Sequence, residues 1–275
     1  MSSLKIAIQG ISGSFHHQVA IQNFGEEVEI LTFDTFESVA RAVAQGLADF
    51  GVMAIENSIA GAILPNYELI DRYELNIRDE YYLPIAHQFM ALRGQKIEDI
   101  NLVASHPMAL LQCKTFLANY PHISQKDDVD TASVAQRIGD QHILGQAAIA
   151  SEIAAEIYDL EILVKDIQTV RNNYTRFIIL QKNETETLEI PNKASFMISI
   201  KNQPGGLSQL LTMLFEKGLD LSKIQSIPVI DKPWEYAFFM DAEFKNYDAF
   251  QEAMKLSQLN FGKVKIFGKY MSRKQ

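Results

Sequence analysis

LKIAIQGISGSFHHQVAIQNFG, residues 4–25, decides the fold. LKIAIQG (4–10) is an apolar run of the length of a buried strand. SFHHQVAIQNF (14–24) has helical spacing, and Gly25 stops it. A strand that feeds a helix through a Gly-rich turn is the opening of a βαβ unit, and the pattern then repeats. VEILTF (28–33) reads as a strand, Asp34 or Thr35 caps a helix running to Ala44, Gly46 ends it, and FGVMAIE (50–56) is the next strand. Such alternation predicts a parallel sheet covered on both faces.

NIRDEYYLPIAHQFMAL (76–92) interrupts the rhythm with a long extended run. NLVAS (101–105) then reads as a strand and PMALLQCKTFLAN (107–119) as a helix. TASVAQRI (131–138) and QAAIASEIAAEIYD (146–159) read as further helices, and FIILQK (177–182) as a closing strand. Two alternating blocks joined by an extended crossover predict two α/β lobes with a cleft between them, with ligands at the carboxyl ends of the strands. KNETETLEIPNK (182–193) is polar and reads as a linker. Beyond it come a strand (194–200), a helix (206–218), two strands (221–230 and 235–244), a helix (247–259) and a strand (263–271), a βαββαβ ferredoxin-like unit.

Composition sets the bounds. The 275 residues carry a net charge of −9, which argues against a nucleic-acid partner. Residues 1–191 hold 13 basic and 26 acidic side chains, residues 192–275 hold 12 and 8, and that shift supports a domain boundary near 190. No apolar run approaches a membrane span. The N-terminus enters a strand pattern directly, so a cytoplasmic protein without a signal peptide is expected. Cys113 is the single cysteine, which excludes an intrachain disulfide and a Cys-based metal cluster.

Polar residues gather just after the strands. In GISGSFHH (10–17), Gly13 permits close backbone approach, and Ser14 with the helix-start N–H groups would hold an anion. Glu56, Asn57 and Ser58 end a strand, as a turn or as pocket groups. Ser105 precedes Pro107, as a plain N-cap or facing the cleft, with Gln112 about one and a half turns on. RNNYTRF (171–177) crowds Asn173, Thr175 and Arg176 ahead of an apolar strand, as a solvated turn or as a pocket lining. Neither a nucleophile–base triad spacing nor an HExxH motif appears. The cleft therefore suits an anion held by backbone N–H groups, hydroxyls, amides and an arginine, with no metal and no cofactor.

Taken in order, GISGSF, ENS, SHPMALLQC and NYTRF resemble the prephenate dehydratase family across essentially the whole chain. The resemblance implies an α/β two-lobed, periplasmic-binding-protein-like catalytic region at 1–183, with its crossover near 76–92 and return near 166–177. A linker at 184–193 and an α+β ferredoxin-like ACT regulatory domain at 194–275 would follow. It implies loss of carbon dioxide and the ring hydroxyl from prephenate to give phenylpyruvate, in phenylalanine biosynthesis. Thr175 would be the main catalytic residue, with Glu56, Ser105, Asn57 and Gln112 beside it. Gly13, Ser14, Ser58, Arg176 and Asn173 would bind substrate. Phenylalanine would be the effector, held near Gly205, Gly206, Leu207, Ser208 and Ser226 in a homodimer or homotetramer. The effector segments depart from the family pattern, reading GGLS (205–208) and QSIP (225–228). Arogenate dehydratase and a non-catalytic small-anion sensor are the competing readings.

Overall fold

The computed structural model describes residues 3–184, 189–200, 204–228 and 236–274. Residues 185–188 of the expected linker, 229–230 of the strand expected at 221–230, and Glu235 lie outside them. In chain order the elements begin with β1 (Lys5–Gln9), α1 (Phe15–Phe24), β2 (Glu29–Phe33), α2 (Phe36–Ala44), β3 (Phe50–Asn57) and β4 (Gly61–Ala62). Next come α3 (Leu64–Arg72), β5 (Asn76–Pro84), β6 (Gln88–Leu92), β7 (Leu102–Ser105), α4 (Pro107–Gln112), α5 (Lys114–Leu117), β8 (Ser124–Asp127), α6 (Thr131–Gln141) and β9 (Gln146–Ala150). Then α7 (Glu152–Ile157), β10 (Leu160–Val164) and β11 (Tyr174–Gln181) precede β12 (Lys193–Ile200), α8 (Gly206–Glu216), β13 (Leu219–Pro228), β14 (Tyr236–Phe244), α9 (Tyr247–Asn260) and β15 (Gly262–Tyr270).

The chain forms two compact units, Met1–Ile63 with Tyr82–Phe177, and Leu64–Tyr81 with Ile178–Gln275. The first unit carries the expected α/β lobes. One sheet runs β2-β1-β3-β11-β5, with β4 paired to β3, and β5 and β11 are the strands along which the chain leaves this unit. The other runs β10-β6-β9-β7-β8. Parallel pairing of β1 with β2 and β3, and of β7 with β8 and β9, follows from the strand–helix alternation. Ser14 and Thr35 cap α1 and α2 by accepting from the backbone N–H groups of His17 and Ser38.

Three elements differ from the sequence expectation. QAAIASEIAAEIYD is not one helix: Gln146–Ala150 is the wholly buried strand β9, and α7 starts only after Ser151 caps it. The alanines favour helix, but pairing between β6 and β7 in the middle of a sheet outweighs that weak preference. The helix expected over 107–119 breaks at Cys113 into α4 and α5. The closing strand starts at Tyr174 rather than Phe177. The sequence reading places no element at β4, α3, β8 or β10. The strand β8 has all four residues exposed, so it shows no apolar pattern.

The second unit has the expected βαββαβ order, with an antiparallel sheet β13-β14-β12-β15. Its helices α8 and α9 supply Leu210, Leu214, Phe250, Ala253 and Met254 to a core with Phe196, Ile198, Met240 and Ala242 of the sheet. Side chains alternate along a strand, so Phe239 points away from that core. There it meets Tyr67 of α3 edge-on at 4.6 Å and stacks on Phe267. Segment 64–81 is fastened to the same sheet by polar contacts. Lys193 Nζ donates to both carboxylate oxygens of Glu80, fully buried, at 2.9 and 3.0 Å, and Lys265 Nζ pairs with Asp71 at 2.6 Å. A Cβ at Gly268 would fall 2.0 Å from the Ile77 carbonyl oxygen, so only glycine permits this approach.

Candidate active site

A cavity of ≈ 450 Å³ lies within the first unit, a volume that suits a small molecule. It is lined from β1, α1 and β3 on one side, from the His87 and α4 region on the other, and by Thr175 and Phe177 of β11. The starts of α1, α4 and α6 all reach it, through Ser14, His106 and Thr131. Helix N-termini favour negative charge.

A chain of amides fixes the polar wall. Asn57 Oδ1 accepts from the backbone N–H groups of Ile59 and Ala60 at 3.0 and 2.9 Å. That turn decides which way the amide faces, so Asn57 Nδ2 is left to donate to Asn173 Oδ1 at 2.7 Å and to Thr175 Oγ1 at 2.9 Å. Asn173 Nδ2 in turn donates to Gln112 Oε1 at 3.1 Å, which also receives His87 Nε2 at 2.8 Å. Two consequences follow. Thr175 Oγ1 already accepts, so its own O–H is the part left to donate. Gln112 Oε1 is doubly occupied, so its NH₂ group is the part left to face a ligand.

The other sequence candidates sit differently. Ser14 lines the cavity as the α1 cap. Gly13 does not: a Cβ there would fall 3.1 Å from Ala154 Cα and 3.2 Å from the Tyr158 ring, and its carbonyl accepts from Ser151 Oγ. Ser105 is wholly buried, and its hydroxyl donates to the Ile149 carbonyl at 2.6 Å. Ser105 is not the helix cap either. His106 caps α4 through Nδ1, which accepts from Met108 N at 3.2 Å. Ser58 Oγ accepts from Tyr174 N and holds the turn against β11, while Asn173 acts from behind the lining. Glu56 is not among the lining residues. Thr175 and Phe177 both line the cavity, so Arg176 between them points to the other face. The arginine expected in the cleft is therefore absent, and no described lining residue is a lysine or arginine.

Sequence reasoning passed over His87 and Asp130. His87 lay inside the extended run, where a single imidazole looks like ordinary strand sequence. Burial lowers the His87 pKa against the opposing effect of its bond to Gln112, and lowers that of His16 to about 3, so both are neutral at pH 7. Among the described residues no cluster of three His, Cys, Asp or Glu side chains is placed to hold a metal ion. In the second unit, Gly205 has φ +78 and starts α8 without a side-chain cap, Gly206 is buried, and Leu207 packs on the core. The Ser208 carbonyl accepts from Thr212 Oγ1, and Ser226 lies in β13.

The family model described as prephenate dehydratase matches residues 6–185. The chain is 36% identical over 98% of its length to the Arabidopsis thaliana chloroplastic arogenate dehydratase/prephenate dehydratase 1, of which it covers 72%. It is 31% identical over 97% of its length to a bifunctional chorismate mutase/prephenate dehydratase from Aquifex aeolicus, of which it covers 73%. Two solved structures share the fold with a TM-score of 0.87. One is described as a quorum-quenching acylase, 25% identical with 98% of each chain covered. The other is the Arthrobacter aurescens prephenate dehydratase in complex with L-Phe, 22% identical with 98% of this chain and 90% of that one covered. A family model spanning well over half of the chain, and relatives above 30% identity along nearly all of it, establish that the chain belongs to the prephenate dehydratase family.

Proposed function

We propose that the cavity carries out the decarboxylating dehydration of prephenate in phenylalanine biosynthesis, with the Thr175 hydroxyl as the donor to the leaving group. The ring carboxylate departs as carbon dioxide, its bonding electrons pass into the ring, and the hydroxyl at the opposite carbon leaves. One proton is taken up, so the products are phenylpyruvate, carbon dioxide and water. Aromatisation drives the reaction, and the site has only to orient the substrate and stabilise charge on the departing oxygen. The observation that carries this reading is the bond from Asn57 Nδ2 to Thr175 Oγ1, which leaves the threonine proton as the part free to donate.

The substrate carboxylates would be received by the α1 N-terminus, the Gln112 amide and the His106 Nε2–H. Ser105, Ser58 and Asn173 act on this reading as positioning groups. Arg176 and Glu56 take no part at the reacting atoms. L-Phenylalanine would bind at the start of α8, where backbone N–H groups near Gly206 and Leu207 have no side-chain cap competing for them. Its role as effector is supported by the likeness to the chain solved with L-Phe.

Steady-state prephenate turnover in the wild type and Thr175→Ala, each with and without L-phenylalanine, tests both parts. Thr175→Ala is expected to lower kcat by roughly 10²–10³ without a matching rise in KM. Full activity in that variant would remove Thr175 from the mechanism. Wild-type turnover untouched by phenylalanine at millimolar concentration would remove the effector site.

A further inference from the structure

The turn that carries the start of α1 to the cavity is held from outside the cavity. Residues 11–14 follow β1, yet two of their carbonyls are bonded from α7, whose Ala154 and Ala155 pack with Met90, Ala104 and Ala148 of the other sheet of the first unit. The Ser151 hydroxyl donates to the Gly13 carbonyl, and the Tyr158 hydroxyl donates to the Ser12 carbonyl at 2.6 Å. Ser151 Oγ also accepts from Ala154 N at 3.2 Å as the cap of α7, so its one proton is committed to Gly13. Burial pushes the Tyr158 pKa up to about 12, which keeps that hydroxyl a donor at neutral pH. Gly13 lies against Ala154 and the Tyr158 ring with φ +87, so no side chain fits between the turn and α7.

Neither Ser151 nor Tyr158 lines the cavity, so both carbonyls are drawn away from a bound anion that they would repel. What the turn presents instead is the start of α1. Ser14 N donates to the Ile11 carbonyl and Ser14 Oγ accepts from His17 N, while Ser14, Phe15 and His16 line the cavity. The first helical N–H groups, those of Phe15 and His16, are therefore the ones left for a ligand. Opposite them, His106 and Gln112 belong to α4 and its cap, and α4 packs on the other sheet through Ala109 and Leu110. A substrate held by both walls needs the two sheets in fixed register, and these two hydroxyls tie one sheet's turn to the other sheet's helix. We propose that Ser151 and Tyr158 are positioning residues for the reaction, which hold the start of α1 in register with α4 and so set the affinity for substrate without touching it. The inference deepens the functional reading and rests on it.

The test is kcat and KM for prephenate in the wild type and three variants, with the folded fraction of each measured by denaturant unfolding. Tyr158→Phe keeps the ring against Gly13 and removes only the hydroxyl. Ser151→Ala removes the other bond and also the α7 cap. Asn246→Ala removes the cap of α9 in the second unit, and so reads what a lost cap does by itself. A helix start that holds the substrate equally in the ground and transition states contributes to KM and not to kcat. KM is expected to rise about fivefold in Tyr158→Phe and in Ser151→Ala, the worth of one lost hydrogen bond. In both, kcat is expected to stay within about twofold of wild type, and in Asn246→Ala KM is expected to do the same. A merely structural role would lower the apparent kcat through the folded fraction and leave KM alone. KM unmoved in either Tyr158→Phe or Ser151→Ala overturns this inference alone, and so does a rise in Asn246→Ala as large as that in Ser151→Ala. A folded wild type that does not turn over prephenate overturns the functional reading, and this inference with it.

Discussion

Asn57 shows how much chemistry one side chain can settle. Its carbonyl is held by two backbone N–H groups, so its amide can only donate, and that choice passes through Asn173 to Gln112 and His87. The buried histidines add a pH dependence at the same scale. Burial drives the His16 pKa down to about 3 from an unfolded value near 6.5. A depressed histidine is neutral in the native state, while the unfolded chain takes up the proton. Stability is therefore complete above pH 6.5 and falls as the pH drops from there toward 3. His87 acts in the same direction. The loss between pH 6.5 and 4 is expected to be about 3 kcal/mol from His16. Chemical denaturation across that range should show a shallower slope in His16→Gln than in the wild type, and equal slopes would remove His16 as a cause. The side-chain types of the site were legible in the sequence, since Thr175, Asn57, Gln112 and Ser14 all line the cavity. Which candidates face it was not. Ser105, Gly13 and Arg176 look just as functional in a string of letters, but sheet pairing and helix contact turn them elsewhere.

Elements were legible where a pattern was strong and local. The caps at Ser14 and Thr35 and the apolar runs of β1 and β3 are short-range signals. β9 was missed because an alanine-rich run has no strand signature of its own; it is a strand only because β6 and β7 flank it. Gly139 makes the same point in α6. Helix propensity alone says that Gly139→Ala should stabilise by about 1 kcal/mol. Its Cβ, however, would stand 2.5 Å from the Tyr158 carbonyl oxygen at the end of α7, a backbone atom that cannot move aside cheaply. We expect Gly139→Ala to destabilise the chain by about 2 kcal/mol, measured by denaturant unfolding. A gain in stability would show that α6 and α7 can separate without cost.

At the scale of the molecule, segment 64–81 belongs with the C-terminal sheet although it lies deep within the N-terminal sequence. Tyr67, Asp71, Ile77 and Glu80 all find their partners on that sheet. Breaking one partner of a buried ion pair costs about 3–5 kcal/mol, and removal of residues 184–275 would strip Glu80 of Lys193 and Tyr67 of Phe239 together. The fragment 1–183 is therefore expected to be aggregation-prone or to melt at least about 10 °C below the full chain. A fragment with the full chain's Tm would show that 64–81 holds its place unaided. The sequence by itself determined the strand–helix alternation, the βαββαβ order after residue 193, and the inventory of polar groups at strand ends. All three arise from short-range periodicity and turn chemistry. Only the tertiary structure decided which polar groups share the cavity, that β9 is a strand, and that 64–81 joins the second unit. Those outcomes depend on pairing and burial between residues far apart in the chain, which no local pattern encodes.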